Sequence, residues 1–238
     1  MGSVMGQFVH RLETEGGDLC SGDRASFGAS WRGLVGAHGL QLQSGRSSVV
    51  VHSREVFLVY SETSKLYAVL KRFDQRLVLA ESCTAGLVAA QLGGLPGVSD
   101  RFCGSLVVYR NDSKIRWLGI DPALLDDPTI GPVSAQVTEA LARSALARTP
   151  EATVAAAITG HLGPGAPSAL DGVVYCAIAF RDESIGTFCD RSLLASPPPV
   201  DGHDMERRRS RQTEGANRMI SFLLEHLERT GHLGQQVQ

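Results

Sequence analysis

Short apolar runs that alternate with helical patterns, and then follow one another directly, predict an α/β fold: a three-layer sandwich with a mixed β-sheet flanked by helices. The runs are 76–80 (RLVLA), 105–109 (SLVVY), 152–159 (ATVAAAIT) and 173–180 (VVYCAIAF), each too short for an amphipathic helix and bounded by turn residues. Composition agrees: of 238 residues, 43% are hydrophobic and 20% charged, with a net charge of -2, the profile of a soluble globular protein.

Residues 1–60 stand apart. Glycine and serine fill 18 of these 60 positions, lysine is absent and no helical period persists, so a poorly ordered or auxiliary extension is expected. Within it, 48–60 has the density of Val49, Val50, Val51, Val56, Phe57, Leu58 and Val59 that suits a strand or hairpin. The expected domain covers 61–229, leaving 230–238 as a C-terminal tail. Ser61 and Ser64 are placed to open a helix with Leu66, Val69, Leu70 and Phe73 on one face. Residues 76–80 form the first buried strand, followed by a turn and a helix over 86–92. Residues 105–109 are the next strand, after which Asp112 is placed to cap a short helix that Gly119 closes. Pro122 opens another short helix. Ser134 caps a longer one to about Arg148, with Val137, Leu141 and Ala145 spaced by four. Two central strands follow, 152–159 and 173–180, then a weaker strand over 186–194 and a proline-rich break at 196–199. A last helix over 204–229 turns Ala216, Met219, Leu223 and Leu227 inward.

Several classes are disfavoured. No segment approaches the roughly 20 apolar residues of a membrane helix, and the N-terminus lacks a signal-peptide layout, so a cytoplasmic location is expected. The five cysteines (Cys20, Cys83, Cys103, Cys176, Cys189) are scattered, without a Cys-x-x-Cys pair, and read as reduced thiols. Neither a metal nor a cofactor is expected, and the near-zero net charge disfavours a nucleic-acid partner. The 23 basic residues divide unevenly: Lys65, Lys71 and Lys114 are the lysines, so 23 − 3 = 20 are arginines.

Four places carry candidate chemistry. Ala80-Glu81-Ser82-Cys83-Thr84-Ala85-Gly86 lies where a buried strand turns into a helix, which would expose Ser82 beside helix-start amides suited to an oxyanion; plain capping by Ser82 and Thr84 is the alternative. Tyr109-Arg110-Asn111-Asp112-Ser113-Lys114 lies at another strand end, and a desolvated lysine, unlike arginine, can serve as a base; a solvated lysine is the alternative. Thr159-Gly160-His161-Leu162-Gly163-Pro164-Gly165 is a glycine-rich loop whose amides can approach an anion, or an ordinary surface loop. Arg207, Arg208, Arg209 and Arg211 open the last helix, as a phosphate-facing cluster or a solvated basic face.

In order, AESCTAG, SLVVYRNDSKIRWLGI, GPVSAQV, AITGHLGPG and the Val-Tyr strand resemble the C-terminal domain of the CinA family, the nicotinamide-nucleotide amidohydrolases, in its stand-alone form. The resemblance implies deamidation of nicotinamide mononucleotide in pyridine nucleotide salvage, with Ser82 as nucleophile and Tyr109 and Lys114 as its proton-handling partners. The intervals agree without a gap, 109 − 82 = 27 and 114 − 82 = 32 residues. Thr84, Ala85, Gly86, Asn111, Thr159, Gly160, Gly163 and Arg209 fall at positions of the substrate surround. The implied partner is the small-molecule substrate alone, with no membrane; a homo-oligomer is left open. The chain departs from the family pattern at Ala85, where glycine is usual, at His161 and Leu162 in place of Ile-Ala, and at Met205, where an arginine is expected. The competing reading is a non-catalytic module that binds a pyridine nucleotide or phosphate.

Overall fold

The computed structural model describes the backbone of residues 32–36, 39–44, 47–51, 53–195 and 204–231, and the side chains of 62–195 and 204–231. The chain divides after Ser53 into two units. In the first, β1 (Arg32–Gly36), β2 (Gly39–Ser44) and β3 (Ser47–Val51) form an antiparallel three-stranded sheet in sequence order. The rest of the expected N-terminal extension up to residue 31 lies outside the described residues, as do the break at 196–199 and the tail beyond Gly231.

The second unit is the expected sandwich. Helix α1 (Ser53–Arg72) leads into β4 (Leu77–Glu81), α2 (Leu87–Gly93), β5 (Phe102–Val107), α3 (Asn111–Leu118), α4 (Pro122–Asp126) and α5 (Ala135–Arg148). Strands β6 (Val154–Gly160), β7 (Val173–Phe180) and β8 (Thr187–Leu193) follow, and α6 (Asp204–Gly231) ends the domain. The sheet order is β5-β4-β6-β7-β8; β4 runs parallel to both β5 and β6, whereas β7 and β8 are antiparallel to their neighbours.

Strand alternation sorts the core into two faces. Leu77, Leu79, Val154, Ala156, Ile158, Val174, Cys176 and Ile178 pack with Leu66, Leu70, Val88, Leu92, Met219, Phe222 and Leu223 from α1, α2 and α6. On the other face Val78, Ala80, Ala155, Ala157, Ala177 and Ala179 meet Leu118, Leu125, Val137, Leu141 and Ala145 from α3, α4 and α5. Alanine beneath α5 lets that helix sit close, and β6, covered on both sides, reads as an unbroken apolar run. Truncating a core leucine such as Leu79 or Leu141 to alanine is worth about 2–5 kcal/mol.

Three boundaries differ from the sequence expectation. Beyond Val51 the stretch read as strand is helical, because α1 begins at Ser53 rather than at Ser61. Val56 and Val59 continue the Thr63, Leu66, Leu70 spacing backwards in steps of three and four, and that period outweighs their β-branched character. Helix α3 starts at Asn111 with Arg110 as N-cap, so Asp112 lies in its first turn; Ser113 Oγ accepts from Arg110 N (3.2 Å) and donates to Arg110 O (2.8 Å). Strand β5 begins at Phe102 and leaves the sheet before Tyr109.

The helix after β4 lies on one face and the helices after β5 on the other. These two adjacent parallel strands therefore form a topological switch point, and the crevice beyond their carboxyl ends is where such sheets collect ligands.

Candidate active site

Ser82 leaves β4 at that crevice. Its N–H still donates to Ile158 O across the sheet (3.1 Å), and its carbonyl accepts from Ala85 N (3.1 Å), closing a tight turn. The turn passes through Ala85 at φ +54° and Gly86 at φ +95° before α2 begins. The departure at Ala85 thus places a β-carbon at a left-handed position, a cost of about 1–2 kcal/mol.

From the neighbouring strand, α3 brings Lys114 beneath Ser82. Lys114 is 2% exposed and Ser82 9%; Lys114 Nζ donates to Ser82 Oγ at 3.3 Å and lies 3.5 Å from Tyr109 O. Burial pulls the Lys114 ammonium below its ordinary 10.5, opposed by the neighbouring Cys83. The neutral amine can then accept the Ser82 proton through the same contact. Cys83 is no rival nucleophile, since burial pushes its thiol up to about 12, against the lowering influence of nearby backbone amides.

Tyr109, 49% exposed, stands at the mouth, and its hydroxyl accepts from Arg208 Nη2. Arg208 Nη1 donates to Gly163 O, so this arginine ties the start of α6 to both Tyr109 and the glycine loop. Ser82, Tyr109, Asn111, Lys114 and Arg208 line one cavity of about 240 Å³ with Gly160, His161 and Gly163. Gly160 is a steric requirement: a Cβ there would meet Val174 Cγ1 at 2.6 Å and Val173 O at 2.9 Å.

The glycine loop is pinned from outside. Arg211, fully buried, donates Nη1 to Asp171 Oδ1 (2.7 Å) and Nη2 to Asp171 Oδ2 (3.1 Å), and Nη1 also to Leu162 O (3.3 Å). Arg207 Nη2 lies 3.8 Å from Asp171 Oδ2. The hydrogen bonds from Arg211 hold the Asp171 carboxyl below the usual carboxylate range. His161 is held below the usual imidazole range by burial, with Asp171 pulling the other way.

Several expected site residues are placed elsewhere. Arg209 is exposed and absent from the cavity lining; the helix turns Arg208 into it instead, because Arg207, Arg208 and Arg211 share one face. Thr84 is buried behind the turn, donating to Glu81 Oε2 (2.8 Å), and Thr159 lies under α5, 2.8 Å from Thr138 Oγ1. Ala85 and Gly86 shape the turn without lining the cavity. The helix-start amides expected to hold an oxyanion are largely spent: those of Gly86, Val88 and Ala89 donate to the Glu81 carboxylate. Local sequence does not by itself distinguish Glu81, Arg208, Asp171 and Arg211 as residues that build the site. The available signals were a carboxylate closing an otherwise apolar strand, and arginines spaced by one and three along the last helix.

The fold and cavity define an α/β protein with a serine–lysine pair at the carboxyl end of a mixed sheet. A family model described as the CinA C-terminal domain matches residues 60–196, and the chain belongs to that family. The CinA-like protein of Mycobacterium leprae is 43% identical over 126 residues, which cover 53% of this chain and 26% of that one. A CinA-like protein of Mycobacterium avium is 41% identical over 124 residues, 52% of this chain and 25% of the relative. The chain thus spans about a quarter of the length of these curated relatives. Among solved structures, the competence or damage-inducible protein of Enterobacter asburiae superposes with a TM-score of 0.60 at 26% identity, covering 71% of this chain and 98% of that one. CihA of Agrobacterium tumefaciens, a competence/damage inducible protein, gives 0.61 at 26% identity over 71% and 94%.

Proposed function

We propose that the chain hydrolyses the carboxamide of nicotinamide mononucleotide to nicotinate mononucleotide and ammonia, a step of pyridine nucleotide salvage. The observation that carries this reading is the buried contact between Lys114 Nζ and Ser82 Oγ at 3.3 Å. Neutral Lys114 takes the Ser82 proton as Oγ attacks the amide carbon, and the carbonyl oxygen becomes the oxyanion. The amides of Cys83 and Thr84, which lie against the Cys83 sulfur and are not engaged by the Glu81 carboxylate, are the donors assigned to it. The tetrahedral adduct collapses as the Lys114 ammonium passes its proton to the amide nitrogen; the C–N bond breaks, ammonia leaves and an ester on Ser82 remains. Water then adds to the ester carbon while Lys114 takes its proton and returns one to Ser82 Oγ, releasing the carboxylic acid, which loses its remaining proton to solvent.

Tyr109 accepts from Arg208, so its own hydrogen is left to donate into the cavity, onto the carboxamide or the departing ammonia. Arg208 lines the cavity with no carboxylate partner among the described residues, which suits it to the substrate phosphate. The test is ammonia release from nicotinamide mononucleotide, its riboside and free nicotinamide. Turnover confined to the mononucleotide is the expected result. Binding of the mononucleotide without turnover of any of the three would replace the hydrolase with a binding module.

A further inference from the structure

Glu81 is the last residue of β4, adjacent in sequence to Ser82, and is 1% exposed. Its carboxylate is filled by neutral donors. Oε2 accepts from Thr84 Oγ1 (2.8 Å), Gly86 N (3.0 Å) and Val88 N (3.1 Å); Oε1 accepts from Ala89 N (2.9 Å) and Ser105 Oγ (3.1 Å). A helix start leaves its first amides without partners and usually takes a cap from the residue just before it. The N-cap of α2 is Gly86, which has no side chain to offer. A carboxylate from the preceding strand does that work, reaching across the turn that carries Ser82.

We infer that Glu81 is the positioning residue for Ser82: by gripping the middle and far end of the 82–86 turn, the first turn of α2 and the flanking strand β5, it keeps Ser82 Oγ within reach of Lys114 Nζ. The inference rests on the Ser82–Lys114 reading of the site. Glu81 does not line the cavity, so it acts through Ser82 rather than on substrate. Its bonds to Thr84 and Gly86 flank the left-handed Ala85, and those to Val88 and Ala89 satisfy amides at the start of α2 that would otherwise lack partners.

Labelling of Ser82 by a fluorophosphonate, read by mass spectrometry on the full chain, tests this without assuming a substrate. In that step the Oγ–P bond forms, the P–F bond breaks, and fluoride leaves while Lys114 takes the Ser82 proton. Glu81→Gln keeps the shape but turns an NH₂ toward donors; the expected labelling rate and kcat fall about 100-fold with KM nearly unchanged, since small misplacements cost that much. Glu81→Asp restores part of the rate. Ser105→Ala, which spares four of the five donors, lowers the rate several-fold even if Glu81→Gln fails to fold. Arg181→Ala, far from the site, removes bonds to Leu146 O, Thr149 O and Ala152 O; it serves as a control that lowers Tm and leaves labelling per folded molecule intact. Glu81 and Ser105 variants that lose Tm but label at the wild-type rate would overturn the inference. A wild-type chain whose Ser82 labels in a Glu81-dependent way, yet releases no ammonia, supports the inference while removing the proposed substrate. A wild-type chain that does not label at Ser82 overturns both.

Discussion

Lys114 Nζ reaches Ser82 Oγ at 3.3 Å from a different strand–helix junction, 114 − 82 = 32 residues further along the chain. Parallel pairing of β4 and β5 places the two junctions side by side, and α3 lowers the lysine into the sheet's rim. Burial of that ammonium costs stability and lowers its pKa, the property the proposed role of Lys114 as base requires.

A stability consequence follows. The folded-state pKa of Lys114 is lowered, so between that lowered value and the ordinary 10.5 the unfolded chain binds more protons than the folded one, and stability rises with pH across that window. Lys114→Met is expected to be more stable than wild type at neutral pH, with the gain vanishing as pH approaches 10.5. Denaturant melts at several pH values check this.

Activity should move the other way. Ser82→Ala, Lys114→Met and Lys114→Arg are each expected to lose ~10³-fold or more in ammonia release, because arginine keeps its proton and the Cys83 thiol cannot replace the hydroxyl. In the wild type, kcat/KM should rise with pH along a limb set by Lys114, below its ordinary 10.5. Steady-state assays across pH measure both.

Arg208, not Arg209, should carry substrate affinity. A charge-assisted hydrogen bond is worth about 1.5–3 kcal/mol, so Arg208→Ala is expected to raise KM for the mononucleotide roughly 10–100-fold. Arg209→Ala should stay within about 2-fold. Tyr109→Phe should lower kcat, with a smaller effect on KM.

The glycine loop depends on Asp171. Asp171→Asn removes the carboxylate charge that faces the buried Arg211, an expected loss of about 1–3 kcal/mol for a pair whose acid is one-third exposed. Because the Asp171 pKa is lowered, its contribution is complete above the ordinary 3.8 and is lost as pH falls below it. Thermal melts of wild type and Asp171→Asn should therefore converge in acid.

Two substitutions should stabilise. A Cβ at Gly215, within α6, would meet Leu194, Thr84 and Ile158 at 3.8–3.9 Å, ordinary contact distances, so Gly215→Ala gains up to about 1 kcal/mol of helix propensity. Ala85→Gly relieves the left-handed strain, for a net gain of about 0.5–1 kcal/mol after the glycine's extra chain entropy. Calorimetry measures each.

The central strands were legible because β6 and β7 are apolar runs flanked by glycine turns, and the Ser134 cap and the Gly119 stop announced their helices. Ser82 and Tyr109 were legible just past strand ends, and Lys114 as the lysine of the short helix that follows the second of them. What escaped depended on long-range packing. Whether Arg208 or Arg209 faces the cavity is a matter of helix rotation, set by Arg211 burying against Asp171 forty positions away. The fate of the α2 amides depended on a carboxylate that looked, in sequence, like the end of a strand.

The most direct test of Lys114 as the neutral base is its own titration. With only three lysines in the chain, ¹³C-labelled lysine gives few side-chain resonances, and the one lost in Lys114→Met identifies the site. A Lys114 midpoint well below 10.5, coinciding with the limb of kcat/KM for ammonia release, is the predicted result. A midpoint at or above 10.5, with activity already complete at neutral pH, would contradict it.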